Sequence, residues 1–382
     1  MPERRRLAEL WKYLFLVVVT LVPIEVASAI AGRMLAARGL FYVTPDLADW
    51  ADYLERRDPL LGWPPPSAFG QQAYDATGSR PIPRFPDPAR TPDCVATFGD
   101  SFTFGDEVGP EHAYPNVLSD LLGCRVGNYG VPGYGTDQAY LRFRERVRDG
   151  ARVAVLGHWS EDVIRNVNRY RGFLAGNALG FKPRFLAHAD GRLELLPMPD
   201  LDADQVAHLA DHPELLPHEY FFPGGPSGVA RLDFPFTLAI ARLFQHYRMR
   251  AWMHDEPSYA QFYAPDHASG ALEVTVAILR AFVRDAHERG QGAVVVLIPD
   301  EKDLRWAIAG RALPYAPLAD ALRAAGIEHP DVAEGMLRHL AGRDPCDLFT
   351  TCGHGHFNPE GYAELARIVG TWIREHDLLS AR

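Results

Sequence analysis

Residues 94–105 read CVATFGDSFTFG: a short apolar run that stops at Gly99, Asp100 and Ser101 and gives way to a turn. An apolar run of this length bounded by turn residues suits a strand buried on both faces. Helical spacing from Asn116 to Leu122 leads to a second short strand, CRVGNYG (124–130). TDQAYLRFRERVRD (136–149) has helical spacing again, and RVAVLG (152–157) is a third strand. This alternation of strand and helix predicts a parallel α/β sheet.

The alternation breaks over residues 170–268, a stretch rich in Pro, His and aromatic residues. Its FLAHADGRLELL (185–196) predicts a hairpin around Asp190-Gly191. We read this stretch as an insertion forming a lid or substrate wall. Beyond it, ALEVTVAILRAFVRDAHERG (271–290) is an amphipathic helix ended by glycine, and AVVVLIPD (293–300) is an apolar strand. The last helix begins at NPEGY, with Asn358 as its cap and Pro359 in its first turn.

Upstream, residues 34–92 form a Pro-rich linker or extended arm, including DPLLGWPPPSAFG. Residues 1–33 hold Arg4, Arg5 and Arg6 followed by an apolar run from Tyr13 to Ile24. Taken strictly, that run has signal-peptide length, with Ala27-Ser28-Ala29 as a cleavage site. Extended past Glu25 to Gly32, it reaches the roughly 20 residues of a membrane span. Either way the arginines stay inside and residues 93–382 lie outside the cytoplasm. The four cysteines, Cys94, Cys124, Cys346 and Cys352, fit two disulfides in an oxidising compartment, pairing Cys94 with Cys124 and Cys346 with Cys352. With 39 basic and 49 acidic residues, a net charge of −10 argues against a nucleic-acid surface. Composition does not set the oligomeric state.

Sites in open parallel sheets assemble at the carboxyl ends of strands. Ser101 lies at such an end, where its hydroxyl is exposed and backbone N–H groups can stabilise an oxyanion. GNYGVPGYGT (127–136) carries four glycines, which let backbone approach a ligand closely. His356, in HFNPEGY (356–362), immediately precedes the last helix, a position that suits a neutral imidazole acting as base. Each motif alone is more often a turn or a structural histidine.

In this order the three segments resemble the SGNH/GDSL hydrolase superfamily. DPLLGW, GDSFTFGDEVGPEHAYP and GVPGYGTDQ resemble its bacterial membrane-anchored esterase and O-acyltransferase-like branch. The resemblance implies a flavodoxin-like three-layer α/β/α fold, with no metal and no organic cofactor. It also implies Ser101 as nucleophile, His356 as base, and Gly133 with the Ser101 amide in the oxyanion hole. Two places depart from the family. Its Gly-x-Asn-Asp block reads LGHWSED here, with Glu161 and Asp162 where Asn and Asp would stand, leaving Asn166 and Asn168 as candidate oxyanion donors. The acid that normally precedes the histidine is replaced by Gly353 and His354, leaving Asp344 and Asp347 as candidates.

Asp100, Trp159, Glu161, Asp162 and Arg165 are candidate substrate contacts, and Arg169 and Arg171 could join Arg165 in holding an anion. Cys352, His354 and His356 lack a second ligand pair at metal-binding spacing. The expectation is an extracytoplasmic serine esterase acting on acylated carbohydrate or lipid. The alternatives are an O-acyltransferase and a non-catalytic glycan-binding or scaffolding module.

Overall fold

The computed structural model describes residues 2–48, 50–63, 74–148, 150–175, 179–225 and 227–380. Part of the Pro-rich arm, residues 64–73, lies outside the described residues, as do the side chains of Arg4, Arg5 and Arg6. In chain order the principal elements are α1 (Pro2–Ala36), β1 (Val95–Phe98), α2 (Tyr114–Leu122), β2 (Val126–Asn128), α3 (Thr136–Glu145) and β3 (Val153–Trp159). After them come α4 (Phe236–Leu243), α5 (Tyr247–His254), α6 (Ala271–Glu288), β4 (Gly292–Ile298) and α7 (Pro359–Glu375).

Four strands pair in the order β2-β1-β3-β4, all parallel. Val95 aligns with Val126 on one side and Val153 on the other, and the β3–β4 ladder runs from Val153–Gly292 to Trp159–Ile298. This is the 2-1-3-4 order of flavodoxin-like sheets. Helix α2 packs on α7, and α3 packs on α6. Val95, Val153, Val155, Val294 and Val296 join Leu118, Tyr362, Leu365 and Val369 in one buried cluster. Both faces of the strands are covered, which explains runs of apolar residues without polar alternation.

By internal packing the chain divides into two units. The sheet unit comprises Asp49–Arg169, Phe181–Asp200 and Glu256–Arg382. The other comprises Met1–Ala48, Tyr170–Gly180 and Leu201–Asp255. Of the stretch read as an insertion, residues 170–180 and 201–255 therefore join α1, while 181–200 and 256–268 belong with the sheet. There the hairpin forms as Arg184–Ala187 against Leu193–Leu196, with Gly191 at φ +84° in its turn.

The disulfides pair as expected, Cys94 with Cys124 and Cys346 with Cys352. The first ties the entrance of β1 to the segment leading into β2. The second closes a short loop just ahead of His356. Asn358 caps α7 through its side chain, which accepts the Glu360 and Gly361 N–H groups at 3.0 Å.

Candidate active site

Ser101 opens a helical turn, Ser101–Phe104, directly after β1, and the Asp100 carboxylate caps that turn by accepting the Phe102 N–H at 2.9 Å. Gly99 is required there: a Cβ would stand 2.1 Å from Thr103 Oγ1. His356 arrives from the other end of the chain, between the Cys346–Cys352 loop and α7. Its Nε2 lies 2.8 Å from Ser101 Oγ. No described group accepts the Ser101 backbone N–H, which leaves it available to an oxyanion.

The far nitrogen of His356 meets a residue that the sequence did not suggest. Glu107 Oε1 lies 3.2 Å from Nδ1, in ion-pair range although off the line of the ring N–H. The same carboxylate accepts the His356 backbone N–H at 3.2 Å and the Thr350 hydroxyl. Thr350 in turn donates its backbone N–H to the His356 carbonyl at 2.9 Å. Partial burial works against the charge of Glu107. The Thr350 hydroxyl and the His356 ring and backbone N–H outweigh it, and the carboxyl is held below its ordinary value. Glu107 is thus an anion at neutral pH, suited to orient the imidazole and stabilise imidazolium.

Local strain marks the same residue. Glu107 has φ +66°, a left-handed backbone that a non-glycine residue adopts at a cost of order 1–3 kcal/mol. Arg80, from the upstream arm, holds the loop in that shape. Its guanidinium donates to the carbonyls of Phe104 (2.6 Å), Gly105 (2.8 Å) and Val108 (2.8 Å). The arm is therefore a brace for the serine loop as well as a connection. Asp344 and Asp347, the acids expected from sequence, are engaged elsewhere. Asp344 pairs with Arg305 at 2.8 Å and caps the Cys346 N–H, and Asp347 lies 3.8 Å from Arg343.

The oxyanion candidates separate. Gly133 sits at φ +81°, and a Cβ there would meet the Trp63 indole Nε1 at 2.7 Å. Trp63, from the DPLLGW preamble, thus lies against this glycine. Asn166 is used in packing: Oδ1 accepts the Asp137 N–H at 3.1 Å, and Nδ2 donates to Thr275 at 2.8 Å. Asn168 is buried with its backbone N–H on the Arg165 carbonyl. Glu161 stands partly exposed in the turn after β3.

A buried ion cluster sits beside the serine turn. Arg165 donates to the Tyr134 carbonyl at 2.8 Å and lies 3.0 Å from Asp162 and 3.4 Å from Asp100. Burial raises both carboxyls. At Asp162 the rise is the larger, the charge of Asp100 adding to burial against the pull of Arg165. The Arg165 guanidinium stacks over Trp159 at 4.8 Å, Trp159 stacks on Phe102 at 5.0 Å, and Phe102 abuts the His356 ring at 4.9 Å. Arg169 instead donates to the Pro197 carbonyl at 2.6 Å, and Arg171 belongs to the other unit. Cys352 is consumed by its disulfide and His356 faces Ser101, so the metal-like spacing at 352–356 serves other contacts.

No protein-family profile and no curated protein matches the chain. Among solved structures it is similar to a G-D-S-L family protein from Desulfitobacterium hafniense, with 11% identity over 72% of this chain and 97% of that one, TM-score 0.35. It is similar to an acetylxylan esterase from Geobacillus stearothermophilus, with 13% identity over 76% and 96%, TM-score 0.37. An α/β hydrolase enzyme from the metagenome of Lake Arreo, Spain, has 12% identity over 75% and 96%, TM-score 0.39. Likeness this slight bears on neither chemistry nor substrate. The chain has a flavodoxin-like parallel sheet of order 2-1-3-4, with the serine turn after its first strand and the histidine before its last helix, the arrangement that the resemblance of its motifs to the SGNH/GDSL hydrolases implies.

Proposed function

We propose that the protein is a serine esterase that cleaves acyl esters by way of an acyl-enzyme. The observation that carries this reading is the 2.8 Å contact between Ser101 Oγ and His356 Nε2, with a carboxylate facing the other ring nitrogen. Ser101 Oγ attacks the ester carbonyl while its proton passes to Nε2. The backbone N–H groups of Ser101 and Gly133 receive the oxyanion. The C–O bond then breaks, and the departing alcohol takes the proton from His356. Water repeats the sequence on the acyl-enzyme, releasing the acid and restoring Ser101. Glu107 stabilises the imidazolium formed at each stage.

Placement outside the cytoplasm is supported by the apolar helix Trp11–Ala36, 26 residues long, behind a basic N-terminus, and by both disulfides. We read α1 as an uncleaved anchor. An acylated cell-envelope glycan or lipid is the substrate class that such a location offers. Trp63, next to Gly133, supplies an aromatic ring suited to a sugar face.

The test uses p-nitrophenyl acetate and a fluorophosphonate probe on the full chain. Hydrolysis and labelling by the wild type, both lost in Ser101→Ala and His356→Ala, are expected. Product formed only with an oligosaccharide acceptor would make the protein an O-acyltransferase. A well-folded wild type that takes no label would make it a binding module.

A further inference from the structure

The carboxylate within the apolar N-terminal run has a specific partner. Glu25 accepts the N–H of Phe236 at 2.7 Å and of Thr237 at 3.3 Å, capping the first turn of α4. Ser28 Oγ lies 3.0 Å from Thr237 Oγ1. From there α4 follows α1. Leu232 lies against Gly32, and Ala36, Phe41, Ala239 and Leu243 form a small buried cluster.

What α4 and α5 leave open is apolar and basic. Phe234 is 75% exposed, Leu238 46%, Phe244 51%, Trp252 71% and Met253 50%. Over these 21 residues, Phe234 to His254, there are three arginines (Arg242, Arg248, Arg250) and no acidic residue, in a chain of net charge −10. Exposed aromatics interleaved with arginines are the chemistry of a helix lying in a lipid headgroup region. Depth agrees. At 1.5 Å per residue a span of about 30 Å counted from Tyr13 ends near Gly32, which puts Glu25 about 10 Å inside that edge. The start of α4 therefore lies alongside the last stretch of the span.

We propose that α4 and α5 form a membrane-interface platform. Phe234, Leu238, Phe244, Trp252 and Met253 enter the leaflet from which α1 emerges, and Arg242, Arg248 and Arg250 meet anionic lipid headgroups. This rests on α1 being an uncleaved anchor. The platform accounts for a glutamate inside an apolar run and for a bare aromatic surface beside it.

The test places one environment-sensitive fluorophore on an introduced thiol in the full chain, the native cysteines being paired. Phe244→Cys and Trp252→Cys report the platform, Val19→Cys the span, and Ile308→Cys, 58% exposed in the sheet unit, the background. The protein is reconstituted in phosphatidylcholine–phosphatidylglycerol vesicles carrying shallow or deep spin-labelled lipid. Severalfold stronger shallow quenching at 244 and 252 than at 308, with deep quenching at 19, is expected. Quenching at 19 with 244 and 252 behaving like 308 overturns the platform and leaves the anchor standing. Absence of quenching at all four positions overturns both. Platform quenching should fall severalfold without phosphatidylglycerol, or with Arg242, Arg248 and Arg250 changed to Gln; insensitivity to both removes the role of the arginines.

Discussion

Glu107 and His356, 249 positions apart in sequence, face each other across 3.2 Å, and the carboxylate holds both the ring and the backbone of the histidine. The carboxylate that faces this histidine thus comes from the loop that carries Ser101, six positions after it. Placing both on one loop makes the Arg80 brace and the Thr350 hydroxyl part of the same arrangement.

Replacing Glu107 with Gln should lower kcat for p-nitrophenyl acetate by roughly 10²–10⁴-fold with little change in KM, because imidazolium loses its counter-charge. Thr350→Val should cost less, about tenfold, because it removes one of the groups holding that carboxylate. Steady-state kinetics with circular dichroism to verify folding would check both. Unchanged kcat in Glu107→Gln would move the acid elsewhere.

Gly133→Ala should lower activity and stability together. The new methyl meets the Trp63 indole at 2.7 Å, and a φ of +81° is strained for any L side chain. Adding Trp63→Ala should relieve the steric part and leave the backbone part. Thermal melts and esterase rates of the single and double variants would separate the two contributions.

The Cys346–Cys352 disulfide closes a loop with a sequence separation of 6 that contains Thr350 and ends shortly before His356, the two residues that donate to Glu107. Changing both cysteines to Ser should cost roughly 2 kcal/mol in stability and lower kcat by loosening the histidine. Thiol titration of denatured, unreduced wild type should find no free thiol.

Asp300 and Asp303, at the start of the helix Glu301–Ile308, are pushed up to about 8 and about 6 by burial; Asp303's charge adds to the rise at Asp300, and hydrogen bonds from Ser160, the Asp300 N–H and Tyr259 limit that at Asp303. Raised carboxyls favour the fold most below their unfolded value near 4, and that contribution is lost as pH climbs through 6 and 8. Asp300→Asn keeps a capping side chain and removes the ionisation. Its melting temperature minus that of the wild type should therefore grow between pH 5 and pH 9, by a few degrees. Calorimetry across that range would check the sign.

Much of this architecture is local in origin. Apolar runs bounded by Gly and Asp determine the strands, and periodic apolar residues ended by glycine or capped by Asn358 determine the helices. Ser101 and His356 are legible because each sits at a fixed place relative to an element boundary, and the glycine block is legible because close backbone approach demands it. The partners were not legible. A glutamate in a turn carries no local mark of which histidine it will face, and Asp344 and Asp347 looked equally suited by proximity along the chain. Asn166 looked like an oxyanion donor until α6 brought Thr275 to its amide. Glu25 read as a charge near the end of an apolar run until α4, more than 200 positions later, offered two N–H groups. Short-range sterics and periodicity are written residue by residue, so the sequence by itself determined the sheet and singled out Ser101 and His356 as the candidate pair. Which carboxylate charges the histidine, and which groups satisfy each buried polar atom, depends on strand order and long-range packing, and only the tertiary structure decided it.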